Sequence, residues 1–90
     1  RLVDIFGIGI EADLTGDMLY VVNEDAPGFI GSIGSLLGKN GINIGTFHLG
    51  RREAGGEAVL LLSVDEPVTK ELLATVRALP GVKTAMGLSF

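Results

Sequence analysis

The sequence has no cysteine, no tryptophan and a single histidine. Without cysteine there are no disulfides, no thiolate nucleophile, and none of the zinc or iron–sulfur sites built on thiolates. His48 has neither a second histidine nor a cysteine with which to hold a metal or build a hydrolytic triad. Its expected role is packing or a polar contact within a strand. Basic charge is also scarce: 7 Lys and Arg against 11 Asp and Glu leave a net charge of −4. No basic stripe appears, which argues against nucleic acid and anionic membranes as partners. No apolar run approaches the roughly 20 residues that span a bilayer. No signal peptide is visible, and a cytoplasmic location is expected. The chain opens on Arg1 rather than on a methionine and reads as a piece of something longer.

Apolar residues make up 47% of the chain, which argues against disorder and for one packed domain. "LVDIFGIGIEADL" alternates imperfectly and predicts one bent strand with Gly7 and Gly9 as weak points. Its residues Leu2 to Ile10 are too apolar to dangle in water. They are expected to pair with another copy or to lie on the open face of a sheet. "MLYVVNE" predicts a second strand. Asp25 can cap a following helix, and Pro27 suits its first turn. That helix is expected from Gly28 to Lys39, ending at Asn40–Gly41 in a left-handed cap. "INIGTFHLG" and "AVLLLSVD" predict two strands joined by the turn "RREAGGE". Pro67 opens a second helix carrying Val68, Leu72, Leu73, Val76 and Leu79 at helical spacing, and Pro80–Gly81 stops it. "VKTAMGLSF" alternates as a last strand, with Val82, Thr84, Met86, Leu88 and Phe90 on one face.

After the N-terminal strand the order is β-α-β-β-α-β, the split βαβ or ferredoxin-like α+β arrangement. Right-handed crossovers then give an antiparallel four-stranded sheet with both helices on one face.

The first helix is unusual. Glycine in a helix interior costs about 1 kcal/mol relative to alanine, yet this helix carries several. At 100° per residue, Phe29, Ile30, Ile33, Leu36 and Leu37 share one arc and face the sheet. Gly28, Gly31, Gly34, Ser35 and Gly38 share the neighbouring arc. Either the second helix lies close against that smooth face, or a partner subunit packs there, or both.

"GFIGSIG" has the wrong spacing for a dinucleotide-binding turn, and "GKNG" is not a phosphate loop. One polar set remains: Asn23 at a strand end, Asp25 at the helix entrance and Asn43 at the next strand's start. Asn and Asp are ordinary turn and cap residues. The same stretch also places the N–H groups of Gly28, Phe29 and Ile30 at a helix N-terminus, which attracts a carboxylate. Gly28 would let a ligand come close to the chain. The helix returns the chain to the far end of the sheet, so Asn43 cannot meet Asn23 within one chain. A two-fold partner pairing through the strand that follows Asn43 would bring its own Asn43 to Asn23 and Asp25.

"NEDAPGFIGSIGSLLGKNGINI" resembles the signature of the ACT domain, a ferredoxin-like module that binds amino acids. The D-x-P-G turn, the glycine-bearing helix and the G-[IV]-N-I strand start carry the likeness. "NIGTFHLGRREAGGEAVLLLSVDEPV…LPGV" is more specifically similar to the C-terminal regulatory domain of the D-3-phosphoglycerate dehydrogenase family. Residues 17–90 match the ACT domain. Residues 1–16 resemble the end of a preceding domain and its linker strand. The resemblance implies a homodimer through the second ACT strand and the first helix. L-serine would be its effector, bound between two domains, with Asn23, Asp25 and Asn43 at the matching contact positions. Some members carry histidine or tyrosine where this chain has Asn23. The resemblance implies no catalysis by these 90 residues and no cofactor within them, the NAD chemistry belonging to the rest of such an enzyme. A ligand-free dimerisation module and the ACT domain of an L-serine dehydratase are the other readings.

Overall fold

A computed structural model describes residues 2–5, 8–11, 16–24, 28–51 and 56–90, the first two segments by their backbone. The elements are β1 (Leu2–Ile5), β2 (Ile8–Glu11), β3 (Asp17–Glu24), α1 (Phe29–Lys39), β4 (Ile44–Arg51), β5 (Glu57–Val64), α2 (Lys70–Arg77) and β6 (Val82–Ser89). From β3 onward this is the expected ferredoxin-like order. The main sheet runs β4-β5-β3-β6 with every neighbouring pair antiparallel.

Alternation in the two central strands builds two apolar layers. Leu19, Val21, Leu60, Leu62 and Ala85 meet Phe29, Ile33 and Leu37 of α1 and Leu72 and Val76 of α2. The other face carries Met18, Tyr20, Val59 and Leu61, with Met86 and Leu88 packed against them. Those four are no more than 1% exposed, so the face away from the helices is closed as well.

The N-terminal segment differs from its prediction. In place of one bent strand, β1 and β2 form an antiparallel hairpin, with Leu2 opposite Glu11 and Ile5 opposite Ile8. Gly7 lies outside the described residues. Each strand therefore finds its backbone partner locally rather than in another copy. The hairpin is the one described element outside the helices and the main sheet, and β2 lies against β4.

Helix α1 begins at Phe29, one residue later than predicted, with Gly28 as N-cap at φ 85°. The expected cap, Asp25, lies outside the described residues, as does Pro27. At the other end Gly41 adopts φ 71°. The Ile42 N–H bonds the Leu37 carbonyl at 3.0 Å, and the Gly41 N–H bonds that of Gly38 at 3.1 Å. This is a Schellman cap, and it aims the chain into β4. Helix α2 starts after the predicted Pro67. Thr69 is its N-cap, its hydroxyl accepting the Leu72 N–H at 3.1 Å. The cap's side chain, rather than the proline, sets that boundary.

Two bulges were also not expected. The β3–β6 register slips between Val22 and Asn23, which face Thr84 and Val82. The extra residue, Lys83, inverts the alternation of β6. Val82 therefore packs with the helix-side layer while Met86 and Leu88 join the opposite one. The β4–β5 register slips around Gly45, between Ile44 and Thr46. There the Ser63 hydroxyl accepts the Thr46 N–H at 2.7 Å, and a Cβ at Gly45 would lie 2.7 Å from that oxygen.

Gly87 meets a comparable limit between layers, since a Cβ there would lie 2.9 Å from the Cβ of Val68. Val68 sits just before the α2 cap and packs against the helix-side core. Gly87→Ala is expected to lower stability by about 1–3 kcal/mol through overpacking. A urea unfolding midpoint equal to that of the parent would contradict this.

Candidate functional site

The sheet holds its polar candidates at two opposite ends. At one end β3 finishes at Asn23 and Glu24, and α1 begins. Asn23 is only 2% exposed. Its Nδ2 donates to the neighbouring Glu24 carbonyl at 2.7 Å. Its Oδ1 is buried and has no hydrogen-bond partner among the described residues. A buried acceptor left in that state costs about 1–3 kcal/mol, so it calls for a reason.

The next residue, Glu24, lines a cleft of about 320 Å³ together with Gly28, Phe29, Ser32 and the loop Leu79–Gly81. One wall is the first turn of α1. An α-helix leaves its first N–H groups without intrahelical acceptors, and its dipole makes that end attractive to anions. Gly28 supplies the left-handed entrance that a side chain would strain. Phe29 turns into the core, whereas Ile30 is 50% exposed. The opposite wall is tied on by the Glu24 N–H, which donates to the Gly81 carbonyl at 2.9 Å. Leu79 was read from the sequence as an apolar position of the second helix, and Pro80 and Gly81 only as its stop. Their place beside α1 depends on the β3–β6 pairing, which local sequence does not reveal. Asp25 lies outside the described residues.

Asn43 stands at the other end. Asn23 pairs with Ala58, while Ile44, next to Asn43, pairs with Val64. Those partners are six residues apart on β5, a separation of about 20 Å at ~3.4 Å per residue. Asn23 and Asn43 of one chain thus do not meet. Asn43 is exposed and is held by a residue that the sequence did not single out. Asp65 receives the Asn43 N–H on Oδ1 at 3.0 Å and the Asn43 Nδ2 on Oδ2 at 3.1 Å.

The glycine face of α1 is open. A Cβ placed on Gly31, Gly34 or Gly38 would meet nothing within 4 Å, so α2 does not pack on these glycines. A shallow groove of about 490 Å³ runs along Gly28, Gly31, Ser35 and Lys39, with Leu79 at its side. In the main sheet β4 is an edge strand, paired there only with β5. Phe47 and Leu49 sit opposite Leu62 and Leu60, hence on the helix side, and are 38% and 41% exposed. His48 faces the other way and is half-buried. Among the described residues no three His, Asp or Glu side chains cluster as metal ligands. No described helix is long and apolar enough to cross a membrane.

A glycine-started helix after the first core strand, an exposed edge strand and paired polar sets at opposite sheet ends make up this site. Comparison with known proteins matches residues 18–81 to the ACT domain. The chain belongs to the ACT domain family. This ACT domain is 38% identical over 82 residues to D-3-phosphoglycerate dehydrogenase of Bacillus subtilis, covering 91% of the chain and 16% of that protein. It is 35% identical over 85 residues to the enzyme of the same name from Synechocystis, covering 94% of the chain and 15% of that protein. The ACT domain therefore spans about a sixth of the length of these relatives. In fold it is similar to the ligand-free regulatory subunit of aspartate kinase from Thermus thermophilus. The TM-score is 0.64 at 18% identity, over 89% of this chain and 54% of the other.

Proposed function

We propose that this ACT domain is the regulatory module of a D-3-phosphoglycerate dehydrogenase and that its effector is L-serine. The effector binds between two copies of the domain. The observation that carries the reading is the Asn23 carbonyl oxygen, buried without a described partner at the end of β3, where its neighbour Glu24 lines the cleft at the α1 N-terminus. The ligand carboxylate lies toward the N–H groups of Gly28, Phe29 and Ile30. Asn23 and Asp25 of one chain, with Asn43 of the other, hold its ammonium and hydroxyl. An acidic side chain suits the ammonium, and amides can both donate to and accept from a hydroxyl.

Two-fold pairing of β4 edges brings the ends together, because antiparallel pairing of one strand with its own copy sets each strand's start beside the other's finish. It also covers Phe47 and Leu49 and gives the glycine face of α1 a neighbour. The similarity to two phosphoglycerate dehydrogenases supports a dehydrogenase parent over a dehydratase one. NAD and catalysis are assigned to the rest of that enzyme. Here α1 feeds an antiparallel sheet and lacks the glycine spacing that a dinucleotide needs.

Calorimetry tests the reading with L-serine and L-alanine, which differ by one hydroxyl. A site built to pair that hydroxyl leaves buried polar groups unpaired when it is missing. L-serine should bind with one molecule per chain, and L-alanine at least about tenfold more weakly. Equal affinities would reject serine as the effector, and no heat from either would favour a ligand-free dimerisation module.

A further inference from the structure

We infer that Asp65 is the positioning residue of the effector site: it fixes which way round the Asn43 amide is presented to the partner chain. The inference rests on the proposal above that Asn43 reaches a ligand held mainly by the other copy. Three hydrogen bonds join the two residues. The Asp65 N–H donates to the Asn43 carbonyl at 3.2 Å. The Asn43 N–H returns to Asp65 Oδ1 at 3.0 Å, and the Asn43 Nδ2 donates to Oδ2 at 3.1 Å.

An amide side chain has two faces of opposite hydrogen-bonding sense, and its orientation follows from its partners. An ionised carboxylate can only accept. It therefore selects the NH₂ end of Asn43 and leaves Oδ1 turned away from Asp65. What Asn43 offers outward is an acceptor, with the second N–H of Nδ2 at its side. The effector group that faces Oδ1 must then be a donor, an ammonium or a hydroxyl.

The backbone on either side reinforces this placement. Asn43 follows the Schellman cap of α1, and two residues later the Gly45 bulge is filled by the Ser63 hydroxyl, which also accepts the Thr46 hydroxyl at 2.8 Å. Asp65 lies two residues beyond Ser63 on the same segment. The start of β4 and the end of β5 thus hold the amide as a single unit.

The test compares L-serine binding to Asp65→Asn, Asp65→Glu and Asn43→Ala, and to Asp65→Asn combined with Asn43→Ala. An asparagine at 65 can donate, so it permits the Asn43 amide to turn over. Asp65→Asn should weaken L-serine binding roughly tenfold to a hundredfold, and Asp65→Glu, which keeps the acceptor, should recover most of that affinity. In the Asn43→Ala background Asp65→Asn should cause no further loss, because the group it positions is gone. The Asn43 side-chain NH₂ resonances should shift in Asp65→Asn while backbone amides of the core keep their positions. Unchanged affinity in Asp65→Asn would overturn the inference, as would an equal loss in both backgrounds. Wild-type affinity in Asn43→Ala would overturn the reading on which it rests.

Discussion

Gly31→Leu is expected to leave the single chain folded and to abolish its self-association. Position 31 lies on the exposed side of α1, where an added Cβ meets nothing within 4 Å. Within one chain the added Cβ therefore meets open space. It also removes a helical glycine, which favours the helix by roughly 0.8–1 kcal/mol. Between two chains the sign reverses. If a partner packs on the Gly28–Gly38 face, a leucine forces the two backbones apart and overpacks the contact. The combination of a raised unfolding midpoint and a monomeric sedimentation profile separates an interface glycine from an internal one. A parent chain that sediments as a monomer at high micromolar concentration would remove the premise, and a dimeric Gly31→Leu would show that the interface lies elsewhere.

The second large effect concerns Asn43. Its side chain is exposed, and its one described bond is to another exposed residue, Asp65. Truncating it should scarcely change folding, since surface substitutions usually fall within about 0.5 kcal/mol. Its consequence for the effector is different. A desolvated ligand group that loses its partner typically loses about 1–3 kcal/mol, so Asn43→Ala should weaken L-serine binding roughly tenfold to a hundredfold. Because Asn43 acts across the interface, linkage requires a second change: L-serine should tighten the dimer less in the variant than in the parent. Sedimentation with and without L-serine reads that coupling. An effect on affinity with no effect on dimer tightening would place Asn43 in its own chain's site.

Much of the fold was legible because local chemistry and tertiary context agree. Asn40–Gly41 predicted the end of α1, and Gly41 takes the left-handed conformation that only glycine adopts at low cost. The apolar runs "MLYVV" and "AVLLL" predicted the two strands that become the centre of the sheet. Separation of Asn23 from Asn43 followed from helix length alone, and the strand register bears it out. What stayed hidden depends on residues far apart in sequence. The bulge at Lys83 inverts the faces of β6, and no local pattern announces it. The same holds for Asp65, whose meaning comes from Asn43, 22 residues away. "LVDIFGIGIE" gave a correct strand signal but not its division, because one bent strand and a two-residue hairpin share the same alternation. The glycine face was read with two alternatives open, and the distance from each glycine to its surroundings removed close packing by α2.

The most direct test of a site shared between two chains is complementation. Asn23→Ala and Asn43→Ala proteins, each titrated alone, should bind L-serine weakly. Mixed in equal amounts and allowed to exchange subunits, half of the dimers carry one of each chain. Each mixed dimer then has one site with both defects and one with neither. About a quarter of all sites should therefore regain the parent's affinity, resolved in calorimetry as a tight class above a weak background. No tight class in the mixture, with exchange verified, would contradict an effector held between two ACT domains.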